Sequence, residues 1–180
     1  NSAKKLAETN EDELYESAAK RLTEIINMGT GALEIKSGYG LSTESELKML
    51  RVIKRLKEGF PITIKSTFLG AHALPIKYKN NKKAYLKLIE EEMLPKIAEQ
   101  GLAEYVDIFC EKGYFSVEDM ERVVNAGKNY GLTPKVHVNQ FNIIGGVPSA
   151  VKLGALSVDH LEVVCQEDID ALKDSVTMPT

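Results

Sequence analysis

Short apolar runs alternate with amphipathic helical patterns along nearly the whole chain. The runs lie at 32–35, 62–72, 105–109, 134–138, 156–160 and 176–178, and their length and composition are typical of buried strands. Segments with apolar residues at helical spacing separate them. Because strands that are joined by helices pair in parallel, the pattern predicts one parallel sheet of about six strands with right-handed crossovers.

Two architectures accept this alternation, an open doubly wound sheet and a closed (β/α)₈ barrel. Gly38 and Gly40 follow the first run, but no third glycine completes the GxGxxG turn of a dinucleotide site. We therefore expect an α/β fold of the TIM-barrel type. Such barrels take about 250 residues, whereas this chain has 180. Residues 1–180 are thus expected to form the central part of one barrel domain, with six of its eight strands.

Several helix boundaries can be predicted from capping residues. Thr9 or Asn10 can cap the first long helix, and Thr43 with Glu46 has the spacing of a capping box. Ser116 is a further candidate N-cap. Pro95 lies inside a helical pattern and is expected to kink or end that helix, because proline lacks an N–H and its ring crowds the preceding turn.

Composition excludes several classes of function. The chain is 43% hydrophobic and 27% charged, which is typical of a globular protein with a real core. Its net charge of −3 gives no field that would gather nucleic acid, and no apolar run is long enough to span a membrane. The two cysteines have no disulfide or zinc-knuckle spacing, so we expect a reducing, cytoplasmic location.

All three histidines stand at the downstream end of an apolar run. His72 ends the second run, His137 lies in the fourth, and His160 ends the fifth. Since the carboxyl ends of parallel strands share one face of a barrel, we expect the imidazoles to gather there. Imidazole binds zinc or iron, and its pKa near 6.5 allows proton transfer at neutral pH.

Structural roles compete with these functional ones. A buried histidine often only satisfies a backbone carbonyl, but three at equivalent positions favour a site. Tyr39 could simply pack a turn between two glycines. Glu111 and Glu162 could orient imidazoles or could be ordinary loop carboxylates. The sequence leaves these alternatives open.

Four motifs resemble one enzyme family. They are EIKSGYGL at 34–41, FLGAHA at 68–73, VHVNQF at 136–141 and SVDHLE at 157–162. In this order and spacing they closely resemble imidazolonepropionase, an amidohydrolase-superfamily hydrolase of histidine degradation. The resemblance implies a metal-dependent barrel that opens the cyclic amide of 4-imidazolone-5-propanoate to give N-formimidoyl-L-glutamate.

The resemblance also implies roles for individual residues. His137 would be a metal ligand, Tyr39 and His72 would hold the substrate, and His160 would polarise the carbonyl or carry protons. Gln140 stands at a substrate-contacting position that many members fill with glutamate, and an amide cannot accept a proton from water as a carboxylate can. One zinc or iron ion is expected in the full-length enzyme, because no lysine ends the strand at 105–110 where dinuclear relatives carry a bridge.

Other functions remain open at this stage. A deaminase of the guanine or cytosine type is a related possibility, although SGYG and GAHA argue against it. The family's first-strand His-x-His pair and its last aspartate are absent from these residues, so this chain alone is expected to bind metal poorly. It could then be an inactive piece that self-associates through exposed strand edges, which makes a homo-oligomer possible. The expected partner is otherwise the small-molecule substrate, with no nucleic acid and no membrane.

Overall fold

Six parallel strands form one continuous sheet in the computed structural model, which describes residues 2–180. The strands are β1 (Ala32–Lys36), β2 (Thr63–Ala71), β3 (Tyr105–Cys110), β4 (Thr133–Val138), β5 (Ser157–His160) and β6 (Met178–Pro179). They pair in the order β1-β2-β3-β4-β5-β6, and every pairing is parallel. All six predicted strands are therefore present, with ends shifted by one or two residues.

The strand order decides between the two architectures. In a doubly wound sheet the order reverses at a switch point, whereas in a barrel each strand lies beside the next one along the chain. The sequential order observed here is that of a barrel. The sheet curls as an incomplete barrel, which confirms the predicted fold.

Helices follow the strands and cover the outer face of the sheet. They are α1 (Ser2–Glu8), α2 (Glu11–Asn27), α3 (Thr43–Gly59), α4 (Lys82–Leu88), α5 (Leu94–Gln100), α6 (Val117–Asn129), α7 (Gly146–Lys152) and α8 (Gln166–Lys173). A 3₁₀ turn at Ile76–Tyr78 precedes α4. The sequence pattern did not predict α1. Within residues 2–180, no helix combines the length and the apolar character that crossing a membrane requires.

Two of the predicted N-caps are confirmed and one is wrong. Asn10 caps α2 and Ser116 caps α6, each in a reciprocal capping box. At α3 the N-cap is Ser42, whose side chain accepts a hydrogen bond from the Ser45 amide. Glu46 does not fold back on the helix terminus, because its carboxylate binds the preceding loop instead.

Pro95 does not end its helix. A π-helical turn, Ile89–Met93, joins α4 to α5, and the helical path continues through Pro95 to Gln100. The wider π turn accommodates a residue that has no N–H to donate and whose ring crowds the preceding carbonyl. The proline thus marks an irregularity rather than a boundary.

The two faces of the sheet differ in polarity. Outward-facing residues such as Val106, Ile108 and Val136 are fully buried against the helices, and they form the core together with apolar residues of α3 to α7. The alternate, inward-facing positions carry polar side chains, among them Asp107 and His137. Because strand residues alternate between faces, one apolar layer stabilises the fold while the other face is free for chemistry.

Candidate functional site

The three histidines meet at the carboxyl ends of the strands. The rings of His137 and His160 lie 5.1 Å apart between centroids. Phe109, at the end of β3, connects His72 to these two histidines. Its ring centroid lies 6.1 Å from that of His72 and 6.4 Å from that of His160. Phe109 was not predicted as a site residue, yet its ring connects the imidazoles into one surface.

Tyr39 stands beside His72. Their rings meet edge to face, with centroids 4.9 Å apart. Nδ1 of His72 lies 3.2 Å from the carbonyl oxygen of Gly38, which fixes the ring against the loop. Burial lowers the pKa of His72, although that carbonyl works in the opposite direction. His72 is therefore held as a neutral imidazole, while Tyr39 remains 54% exposed.

The loop that carries Tyr39 closes around the buried carboxylate of Glu46. Amides of Gly38, Gly40 and Leu41 donate hydrogen bonds of 2.8, 2.7 and 3.0 Å to this carboxylate. Gly38 is required by its φ of +112°. Gly40 is required by the close approach of the loop to α3, since a Cβ there would lie 2.6 Å from the Glu46 nitrogen. Glu46 thereby fixes the position of Tyr39.

A second buried carboxylate, Glu111, holds the loop after β4. It accepts hydrogen bonds from the amides of Phe141 and Asn142, from Nδ2 of Asn142 and from the Lys112 amide. Burial opposes ionisation, but these donors lower the pKa of Glu111. The half-buried Gln140 immediately precedes the clamped residues. The structure therefore resolves one alternative left by the sequence, since Glu111 organises a loop rather than an imidazole.

A third carboxylate joins the loops after β4 and β5. Nδ2 of the buried Asn139 donates a 2.8 Å hydrogen bond to Oδ2 of Asp168 in α8. The same oxygen accepts from the Cys165 amide at 3.0 Å. Glu162 differs from Asp168, because it is exposed and lies 3.2 Å from Nδ1 of His160.

Backbone strain concentrates on the same face. Among residues 2–180, the non-glycine residues with positive φ are Leu41, Asn139, His160 and Leu161, at +55°, +57°, +90° and +53°. They lie in the loops after β1, β4 and β5. Such conformations cost free energy and cluster at functional sites, where the surrounding structure imposes them. Their distribution therefore favours this face as the candidate site.

Beneath the histidines lies a layer of opposite charges. Nζ of Lys36 is 2.9 Å from Glu34, 2.9 Å from Asp107 and 3.1 Å from Asp159. Lys135 pairs with the other oxygen of Glu34. Burial disfavours the charge of Lys36, but the surrounding carboxylates outweigh it and raise its pKa. Asp159 is likewise buried in part, yet Ser157 and Lys36 lower its pKa to about 2.

Asp107 connects this charged layer to His137. Its Oδ2 lies 2.8 Å from Nδ1 of His137, although the ring is not turned to direct a hydrogen bond along that line. Its Oδ1 accepts from the His137 amide at 3.2 Å. Nε2 is therefore the ring nitrogen that Asp107 leaves free for a metal. Asp107, His137 and Asp159 each offer a ligand atom within 4.8 Å of the others.

Sequence reasoning missed Lys36, Asp107, Asp159 and Glu46 as members of the site. A usable signal was present for the first three, because each is a charged residue at an alternate position of a strand that is buried on its other face. No such signal exists for Glu46, whose partners are backbone amides of a loop.

Comparisons with known proteins place the chain among named relatives. It is 63% identical over 179 residues to an imidazolonepropionase of Flavobacterium johnsoniae, and 47% identical over 173 residues to one of Shewanella sediminis. An imidazolonepropionase of Clostridium tetani is 45% identical over 180 residues. These alignments cover 96–100% of this chain but only 42–44% of each relative. The chain thus spans less than half the length of the relatives it matches. The resemblance to imidazolonepropionases that the four motifs predicted is confirmed.

The solved structures support the fold. An adenine deaminase from Arthrobacter aurescens superposes with a TM-score of 0.64 over 93% of this chain and 50% of its own. Its sequence is 14% identical, so this likeness concerns the fold alone. No family model matches the chain.

Proposed function

Because the chain is a homologue of the imidazolonepropionases, we propose that it supplies the substrate-facing part of such an enzyme. The full-length hydrolase would open the cyclic amide of 4-imidazolone-5-propanoate and release N-formimidoyl-L-glutamate. The observation that carries the proposal is the convergence of Tyr39, His72, His137 and His160, all predicted from the motifs, on one face of the incomplete barrel. A deaminase is disfavoured, since the sequence relatives are named imidazolonepropionases.

Tyr39 and His72 have the properties of substrate-holding groups. The exposed Tyr39 phenol can donate or accept a hydrogen bond, and the adjacent imidazole of His72, whose Nδ1 donates to the Gly38 carbonyl, can accept one at its free Nε2. Both are fixed by the Glu46-bound loop. A polar five-membered ring could therefore bind against both side chains without rearranging the loop. Gln140, on the Glu111-bound loop, would add an amide contact.

A metal would bind at His137 through Nε2. One imidazole is too few for a catalytic zinc or iron site, which takes three or more protein ligands, so the other ligands must come from outside these 180 residues. The part of the site present here fits, because Asp107 accepts a hydrogen bond from the His137 amide and lies beside Nδ1 of the ring, which leaves Nε2 for a metal. A bound zinc or iron ion would lower the pKa of a water molecule and supply the nucleophile.

His160 is the group that we assign to proton transfer or carbonyl polarisation. It lies beside His137, and the Glu162 carboxylate is 3.2 Å from its Nδ1. Gln140 cannot take this role, because an amide does not accept a proton at neutral pH. His160, together with a carboxylate outside this chain, would then serve as acid and base.

The proposal can be tested in the full-length enzyme. Changing His137 to Ala should remove both bound metal and turnover, whereas Tyr39→Phe should keep the metal and raise KM. His160→Asn should keep the metal and lower kcat by roughly 10²–10⁴, as expected for a lost general acid or base. Metal is measured by elemental analysis and turnover by the loss of imidazolone absorbance. Equal metal content in the wild type and His137→Ala would contradict the ligand assignment.

A further inference from the structure

Lys36 occupies the centre of a donor set that would otherwise suit a divalent cation. Its ammonium group contacts one carboxylate oxygen each of Glu34, Asp107 and Asp159, at 2.9–3.1 Å. An ammonium has three N–H donors, and here each has a carboxylate within reach. Asp107 and Asp159 also form a group with His137, in which each side chain offers a ligand atom within 4.8 Å of the others.

Carboxylates and imidazole are common ligands of zinc and related ions. A divalent cation cannot share this position with an ammonium, because like charges a few ångströms apart in a partly buried site repel strongly. The charge of Lys36 is also secure, since the three carboxylates raise its pKa despite burial. The donor set therefore already holds a covalently attached cation.

We propose that Lys36 is a resident cation that takes the place of a metal ion among Asp107, His137 and Asp159, and that it positions His137 through Asp107. Oδ2 of Asp107 contacts both Nζ of Lys36 and Nδ1 of His137. Lys36 thus fixes the carboxylate that binds the His137 amide and lies beside Nδ1 of its ring, and Nε2 is the nitrogen left for an external ligand. This inference does not depend on the proposed reaction, because it concerns contacts within these 180 residues.

The test uses the 180-residue chain and Co²⁺ alone. Lys36→Met removes the charged group while keeping an unbranched side chain one atom shorter, and it should create a Co²⁺ site at least about tenfold tighter than any in the wild type. Lys135→Met is the matched control, since Lys135 is also an inward-facing lysine but pairs with Glu34. Visible absorption of Co²⁺ gives the affinity, and NMR of ¹⁵N-labelled histidine identifies His137 as a ligand.

Adding Asp107→Asn to the Lys36→Met variant should abolish the gain in affinity. Equal Co²⁺ affinity in the wild type and a folded Lys36→Met variant would overturn the proposal, and so would a gain that survives loss of Asp107 or that also occurs in Lys135→Met. Folding is checked by circular dichroism.

A measurement on the unaltered chain covers the case in which Lys36→Met does not fold. NMR of the lysine ammonium groups should show Lys36 exchanging slowly with water and coupled across hydrogen bonds to the carboxyl carbons of Asp107 and Asp159. The exposed Lys20 serves as the reference for fast exchange. A Lys36 ammonium that exchanges as fast as that of Lys20 would overturn the proposal.

Discussion

Three carboxylates are buried beneath the candidate site, and each accepts hydrogen bonds from one of its loops. They are Glu46, Glu111 and Asp168. None is expected to touch the substrate. Their oxygens accept hydrogen bonds that the loops would otherwise make to water. Because these bonds are made within the protein, each loop is held in one conformation. Precise placement of site residues on loops therefore depends on acids that lie beneath them.

Changing Glu111 to Gln should destabilise the chain by about 1–3 kcal/mol at neutral pH, because an amide NH₂ would face the backbone donors of Phe141 and Asn142. The pKa of Glu111 is lowered from 4.5, so its contribution is complete above that value and is lost as the pH falls through the folded-state pKa. The stability difference from the wild type should accordingly shrink in acid.

Urea unfolding of both proteins at neutral and acidic pH measures this difference. Glu58→Gln is the control, since Glu58 is exposed and its replacement should change the free energy of unfolding little. A Glu111→Gln difference that is independent of pH would contradict the assigned role.

At the scale of elements, helix α6 packs on strand β3 through a glycine. A Cβ at Gly127 would lie 2.6 Å from Cγ1 and 2.8 Å from Cβ of Val106, closer than real contacts allow. The absence of a side chain is therefore what lets the helix approach the sheet, and the approach sets the position of the strand that carries Asp107 and Phe109.

Gly127→Ala should lower the free energy of unfolding by about 1 kcal/mol. Alanine gains up to about 1 kcal/mol in helix propensity, but overpacking against Val106 costs about 1–3 kcal/mol. Asn125→Ala, at an exposed position of the same helix, should instead be neutral or slightly stabilising. Urea unfolding gives both values, and a stabilising Gly127→Ala would show that the helix can move away without cost.

At the scale of the whole molecule, the sheet has two open edges within residues 2–180. There β1 pairs with β2 alone and β6 with β5 alone. An apolar cavity of about 270 Å³ lies beside β1, between α2 and α3, and its lining includes Leu14, Ala18 and Ile35. An unpaired edge next to an apolar groove is a surface that favours association.

We expect the 180-residue chain to self-associate through this groove, with a sedimentation coefficient that rises with concentration. Ala18→Glu places a charge in the groove without breaking α2 and should keep the chain monomeric. Ser17→Glu adds the same charge on the exposed side of the helix and should associate like the wild type. A wild type that remains monomeric at every concentration would contradict this expectation.

The fold class and the residues of the histidine cluster could be predicted from the sequence alone. Strand and helix periodicities depend on local burial, and the carboxyl ends of parallel strands must share one face, so residues such as His72 and His160 could be assigned to it without coordinates. The roles of Tyr39, His72, Gln140, His137 and His160, the identity of the metal and the cytoplasmic location stay predictions.

Only the tertiary structure decided which charges meet. Lys36, Asp107 and Asp159 are separated by 71 and 52 residues along the chain, and their contact depends on strand register and sheet curvature, which no local pattern encodes. The partners of Glu46 could not be predicted from local pattern either, because its spacing from Thr43 favoured a capping box. A carboxylate binds whichever N–H groups are nearest and otherwise unsatisfied, and only the folded loop brought three amides to it.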